Sequence, residues 1–267
     1  MEALNLLIYP FLACVLLILV HAYFGVHILE RGIIFVDLSL AQFIGLGIAI
    51  SFLAGDGPRD RYILAFVFAA LGASILALSR HISKFVNIEA FIGVLYIFSL
   101  AASILILDRT PHGLEEFKAI LNGNILWVTP SEVFTTFVIY SVIGAVHFIF
   151  RKRFFSLSYE GQGNTLWEFI FFLTFAIVLV KSVQMAGILQ VFSFLVIPGL
   201  IGRLYTKRVG MVLAIGLLIG LFASLFGIVA SYRLDLPTAP LIVASLSLTF
   251  LILLSLKSLT AKRLSKS

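Results

Sequence analysis

Apolar residues run through this chain in blocks of about twenty, broken by short polar joints, and the blocks recur from one end to the other. They lack the single apolar stripe that a surface helix turns toward a soluble core; most are apolar all round. Each approaches the ~18–20 residues that carry a helix across a ~30 Å hydrocarbon layer. The pattern predicts spans at about 5–28, 33–54, 62–79, 87–107, 131–150, 166–181, 185–203, 209–231 and 238–256. The sixth and seventh are short, with only Lys181 to Gln184 between them, so they are either two spans or one broken element. The expected fold is an all-α polytopic transmembrane bundle of eight or nine helices, forming one domain over 1–267.

Composition agrees: 61% of the 267 residues are apolar and 12% charged, against roughly 25% charged in a soluble domain. The first block has no basic leader, Glu2 being the only early charge, so it is expected to be a span and not a cleavable signal. The net charge of +6 would suggest nucleic acid in a soluble protein. Here the basic residues sit in alternate joints, and membrane topology accounts for them without a nucleic-acid partner. Arg80 and Lys84, Arg151 to Arg153, Arg203 to Arg208, and Lys257 to Lys266 form four clusters. Nine spans place all four on the cytoplasmic side, with the N-terminus outside and the C-terminus inside. The joints left outside mix both signs: Asp56 to Arg61, Asp108 to Lys118, Lys181, and Arg233 beside Asp235.

Two joints are longer. Residues 108–130 are too polar to span and read as a short amphipathic helix, a Gly123–Asn124 turn and a Trp127 anchor at the interface. Residues 154–167 (FFSLSYEGQGNTLW) read as the longest cytoplasmic loop.

Ionisable groups inside a span are costly and mark function by default. Asp37, within GIIFVDLSLAQFIGLG, reads either as a water-exposed helix start or as a residue lining a transport path. Glu89, within NIEAFIGVLY, reads either as a path residue or as a helix-start carboxylate favoured by the helix dipole. Ser39 and Gln42 are the polar neighbours of Asp37, and the 100° step of a helix turns Ser39 away from it. One carboxylate with an amide nearby is a transient cation contact, not a cage. The histidines are scattered: His21, His27, His81, His112 and His147 read as interfacial side chains. The single cysteine, Cys14, excludes a disulfide within the chain. No P-loop, HExxH or GxSxG motif is present. Gly216, Gly220, Ala223, Gly227 and Ala230 recur at spacings of four and three, a face for close helix packing.

Five stretches in order resemble the permease subunits of the manganese/zinc/iron chelate family of ABC importers, which share the type II architecture of vitamin B12 permeases. They are RGIIFVDLSLAQFIGLG (31–47), IEAFIGVLYIFSLAASILIL (88–107), LNGNILWVTPSEV (121–133), AGILQVFSFLVIPGLIGRL (186–204) and YRLDLPTAPLIV (232–243). The resemblance implies a dimer with itself or a sister permease. It also implies two cytoplasmic ATP-binding subunits that supply hydrolysis, an extracytoplasmic substrate-binding protein, and no catalysis or stable cofactor in this chain. Asp37 carries over as a transient metal contact on the path of a divalent cargo (zinc, manganese or iron), with Ser39, Gln42 and Glu89 beside that path. The segment 154–167 carries over as the coupling segment, with Ser158, Tyr159, Glu160, Gly161 and Gly163 facing the ATPase, and 108–130 as the face toward the binding protein. The chain departs from the pattern at Ala41, where the family has a histidine four residues after the aspartate, and at Ala239, where it has glycine. A second reading, a self-sufficient proton-coupled transporter using Asp37 and Glu89, rests on the same two carboxylates.

Overall fold

In the computed structural model, residues 2–54, 57–161 and 164–264 are described; Asp56, Gly163 and Lys266 lie outside them. The described residues form eleven α-helices. These are α1 (Glu2–Arg31), α2 (Val36–Ala54), α3 (Pro58–Ala77), α4 (Ser79–Ile82), α5 (Ile88–Leu107), α6 (Gly113–Asn122), α7 (Pro130–Ile149), α8 (Arg151–Tyr159), α9 (Thr165–Tyr205), α10 (Val209–Leu234) and α11 (Thr238–Leu264). A 3₁₀ turn, Ile125–Trp127, follows α6. Eight of the helices are long and apolar enough to cross a bilayer.

The longest of them, α9, resolves the question of one element or two. Its 41 residues would reach about 60 Å as a straight helix, twice a bilayer core. It breaks at Gly187, where the backbone adopts φ 74° and ψ 166°. The arm 165–186 is held along α1 by Phe175 against Phe24, Phe171 against His27, and Glu168 paired with Arg31. The arm 188–205 is held by Gln190 on Cys14, the Leu195 carbonyl against Gly25, and Arg203 paired with Glu30. Numbering falls along α1 on the first arm and rises on the second, so the arms run in opposite directions. α9 is a helical hairpin, and the eight helices supply nine membrane-length segments. The joint expected at Lys181 to Gln184 is helical instead, because nothing in those residues stops a helix; the chain turns at the next glycine.

The hairpin sorts the joints into two ends. Arg31, Glu168, Arg203 and the loop before α2 lie together, and Lys257 of α11 reaches Tyr205 there (6.0 Å to the ring). This is the basic end. The Gly187 apex lies at the opposite end, against the turn after α6: the Asn124 amide donates to the Met185 carbonyl (3.2 Å). Gly123 (φ 60°) and Gly187 face one another so closely that a Cβ on either would strike the other's backbone.

Helix packing inside a bilayer cannot draw on the hydrophobic effect and uses close contact of small residues instead. The α10 stripe does this: Gly216 lies on the Pro198 backbone of α9, Gly220 on Ile18 of α1, and Gly227 on Ile242 of α11. α2 is the most enclosed span, with 78% of its residues buried against 17% for α11. It is the axis of the bundle, packed between α3, α5 and α9.

α7 starts on a capping box: the Thr129 hydroxyl accepts from the Glu132 amide and the Glu132 carboxylate accepts from the Thr129 amide (3.3 and 2.8 Å). Thr129→Ala is expected to lower stability by about 1 kcal/mol, read as a lower melting temperature in lipid nanodiscs; an unchanged melt would show that the box adds nothing there.

The segment 154–167 departs from the loop expected of it. α8 continues to Tyr159, and only 160–164 link it to α9. Phe154 and Leu157 are buried, and Phe154 stacks on His147 (4.0 Å, 8°). Three bulky residues in four and a turn-forming glycine had masked a helical face.

Candidate functional site

Asp37 sits in the first turn of α2, and the structure decides between its two readings. It is 0% exposed, and both carboxylate oxygens are enclosed without a hydrogen-bond partner. A water-exposed helix start is thereby excluded. An unpaired carboxylate in an apolar interior costs several kcal/mol, so the bundle holds this group at a price in stability that a structural role would not require. Ser39 is also buried (1%) with a free hydroxyl oxygen, and Gln42 is 3% exposed on the next turn. The helix turns Ser39 about 200° from Asp37, so the three do not converge on one point. Ala41 is buried at 1%.

Glu89 does both things proposed for it. It lies in the first turn of α5, capped by Asn87, whose side chain accepts from the Ala90 amide (3.0 Å). One oxygen of Glu89 also accepts from the Phe35 amide (3.0 Å), two residues before Asp37, and its other oxygen is enclosed without a partner. Glu89 thus fixes the entry to α2 and ties α5 to it at the basic end.

The histidines correct the expectation of interfacial side chains. His21, His27 and His147 are buried at 0%, 5% and 3%, whereas His81 and His112 are exposed. His147 receives or donates on both nitrogens, to the Tyr23 hydroxyl (3.0 Å) and the Thr174 hydroxyl (2.8 Å), which leaves no lone pair for a metal. It is the centre of an aromatic cluster of Tyr23, Phe24, Phe154 and Phe171 joining α1, α7, α8 and α9. Among the described residues no group of three or more His, Cys, Asp or Glu side chains is placed to hold a metal ion.

At the basic end α8 presents the residues expected to face a partner. Ser158 is 7% exposed with its hydroxyl unpartnered. Tyr159 packs beside His27 (5.8 Å) and lines a cleft of about 420 Å³ with Glu30, Arg203 and Lys207. Burial, and then the Glu30 carboxylate, push its phenol above the ordinary tyrosine value, while Arg203 pulls the other way. Glu160 ends the helix, and Gly161 (φ 65°) turns the chain toward α9.

Sequence reasoning missed two ion pairs in the last turn of α1. Arg31 donates to Glu168 at 2.5 Å, with side chains 12% and 1% exposed, and its guanidinium lies over Phe171 and Phe172 (5.4 and 5.0 Å). Glu30 accepts from Arg203 at 2.8 Å, with side chains 38% and 35% exposed. Adjacent residues of opposite charge thus hold the two ends of the α9 hairpin. Glu168 carried the only available signal: a lone carboxylate at the start of an apolar block.

Known proteins share this architecture. The chain superimposes on PsaBC from Streptococcus pneumoniae, solved in complex with Fab, with a TM-score of 0.75 at 22% identity, covering 93% of this chain and 90% of that one. A Chlamydia trachomatis serovar D protein named "Probable metal transport system membrane protein" is 26% identical over 231 residues, 82% of this chain and 78% of that protein. The chelated iron transport system membrane protein YfeC of Yersinia pestis is 28% identical over 220 residues, 77% of this chain and 74% of its own length. The ABC 3 transport family matches residues 3–257, nearly the whole chain, and the protein is a member of that family, the membrane permease of an ABC transport system.

Proposed function

We propose that this permease imports a divalent metal ion, of the zinc, manganese or iron class, and that Asp37 touches the ion in transit. The observation that carries the proposal is the enclosed, unpartnered carboxylate of Asp37 on the most buried span. A cation is the partner that would offset its burial, and relatives named for metal and chelated-iron transport support the class of cargo. Hard oxygen donors suit manganese and iron(II) more than a thiolate-seeking ion. With Ala41 in place of a histidine, passage here rests on oxygen ligands, which predicts a weaker preference for zinc.

The basic end is assigned to the cytoplasm by its lysines and arginines, which puts the N-terminus outside and the C-terminus inside across nine crossings of the inner membrane. ATP-binding subunits then dock on the α8–α9 link, at Ser158, Tyr159, Glu160 and Gly161, with Gly163 in the same link outside the described residues. A substrate-binding protein meets the 108–130 segment at the other end. Two permeases, identical or sister chains, complete the pathway. ATP hydrolysis belongs to the partner subunit.

The test is uptake of radiolabelled manganese and zinc by the complete transporter carrying Asp37→Asn or Asp37→Glu. Asparagine keeps the shape and loses the charge, and is expected to reduce uptake about tenfold or more at unchanged membrane abundance, with glutamate partly restoring it. Full uptake by Asp37→Asn would remove this residue from the pathway.

A further inference from the structure

The two ion pairs at the end of α1 differ in burial, and the difference assigns them different jobs. Arg31 and Glu168 are enclosed under two phenylalanine rings and fix the first arm of α9. Glu30 and Arg203 are more than a third exposed, and a pair in water of that kind biases an equilibrium by only about two- to fivefold. Such a pair is easily exchanged. A second acceptor waits beside it: the Tyr159 hydroxyl lines the same cleft as Arg203 and Glu30, is enclosed, and makes no hydrogen bond of proper geometry. Tyr159 is the last residue of α8, the helix that meets the ATP-binding subunit on the reading given above, on which this inference rests for its trigger.

We infer that Arg203 is the moving half of an inner latch: it holds the second arm of α9 to Glu30 in this structure and transfers to the Tyr159 hydroxyl when the end of α8 is displaced. The geometry makes the transfer short, because both acceptors face one cleft. It also gives the displacement a route to the far end of the bundle. The second arm runs from Arg203 to the Gly187 apex, and the apex is joined to the 121–124 turn. Releasing Glu30 frees that arm while Arg31 and Glu168 keep the first arm in place, so the hairpin opens about its fixed arm. Arg203, Glu30 and Tyr159 are then positioning residues for transport, with no contact to the cargo.

Two measurements test this. In the full transporter, Glu30→Gln and Arg203→Gln are expected to raise ATP hydrolysis in the absence of binding protein about threefold, and the exchanged pair Glu30→Arg with Arg203→Glu to return it to the starting rate. Tyr159→Phe keeps the ring and loses the acceptor, and is expected to lower the metal moved per ATP. A purely structural role would not produce rescue by the exchanged pair; failure of that rescue, or unchanged hydrolysis in both single variants, overturns the latch. In the permease alone, hydrogen exchange across residues 200–206 should rise in each single variant and fall back in the exchanged one. Should the wild-type chain capture no ATP-binding subunit, the reading of its partners fails, and the exchange measurement decides the latch by itself: no rise in the single variants overturns it.

Discussion

Gly187→Ala is expected to prevent the chain from folding into its membrane bundle, the largest effect of any single methyl group here. Gly187 holds φ 74° and ψ 166°, a region open in practice to glycine alone. Strain of this kind costs about 1–3 kcal/mol in an L-residue. The methyl would also strike the backbone of Asn122 and Gly123, and backbone cannot swing aside as a side chain does. Relief requires lifting α6 from the apex, which breaks the hydrogen bond from the Asn124 amide to Met185 (3.2 Å). The sum approaches the ~5–15 kcal/mol by which a native protein is stable. Gly123→Ala meets the same wall from the other side and should behave alike. Gly144→Ala is the control, since nothing lies within 4 Å of its new methyl. Folded yield by size-exclusion chromatography checks all three. A Gly187→Ala protein with wild-type yield and melting temperature would mean that the apex does not turn at this residue.

The bundle was legible in the sequence because spans are written in long apolar blocks, and a block survives any uncertainty about its neighbours. The Gly123–Asn124 turn and the α10 glycine face were legible for a related reason: small residues at helical spacing have few other uses in a membrane. Three features were hidden. α8 was read as loop because its buried face, Phe154, Leu157 and Ser158, occupies two turns, too short for a period to emerge. His147 was read as interfacial because sequence places it at a span end; its burial comes from Phe154, which folds back across the chain reversal to stack on it. The ion pairs of α1 join residues 137 and 173 positions apart, and no local pattern announces them. Asp37 was legible as a candidate but undecided, since one sequence cannot say whether a span end is covered. The cover comes from the helices around α2.

Glu168→Ala is expected to destabilise the bundle by about 3–5 kcal/mol, the cost of leaving a buried charge without its partner. The carboxylate is 1% exposed and lies 2.5 Å from a guanidinium that is itself 12% exposed. With the carboxylate gone, Arg31 keeps its charge at any accessible pH, and the rings of Phe171 and Phe172 return only part of what the ion pair supplied. Replacing both partners, Arg31→Met with Glu168→Gln, should recover most of the loss, because a pair that is absent leaves nothing charged to bury. Glu30→Ala, one position before Arg31, should cost no more than about 1 kcal/mol, since water screens its pair with Arg203. Thermal unfolding in nanodiscs separates these expectations. A Glu168→Ala loss no larger than that of Glu30→Ala would mean the two pairs are equivalent, and that the first arm of α9 is as free to move as the second. The opposite ranking, a rigid first arm and a loosely held second, is what a hairpin needs if one of its arms is to move while the helix that carries Asp37 stays enclosed.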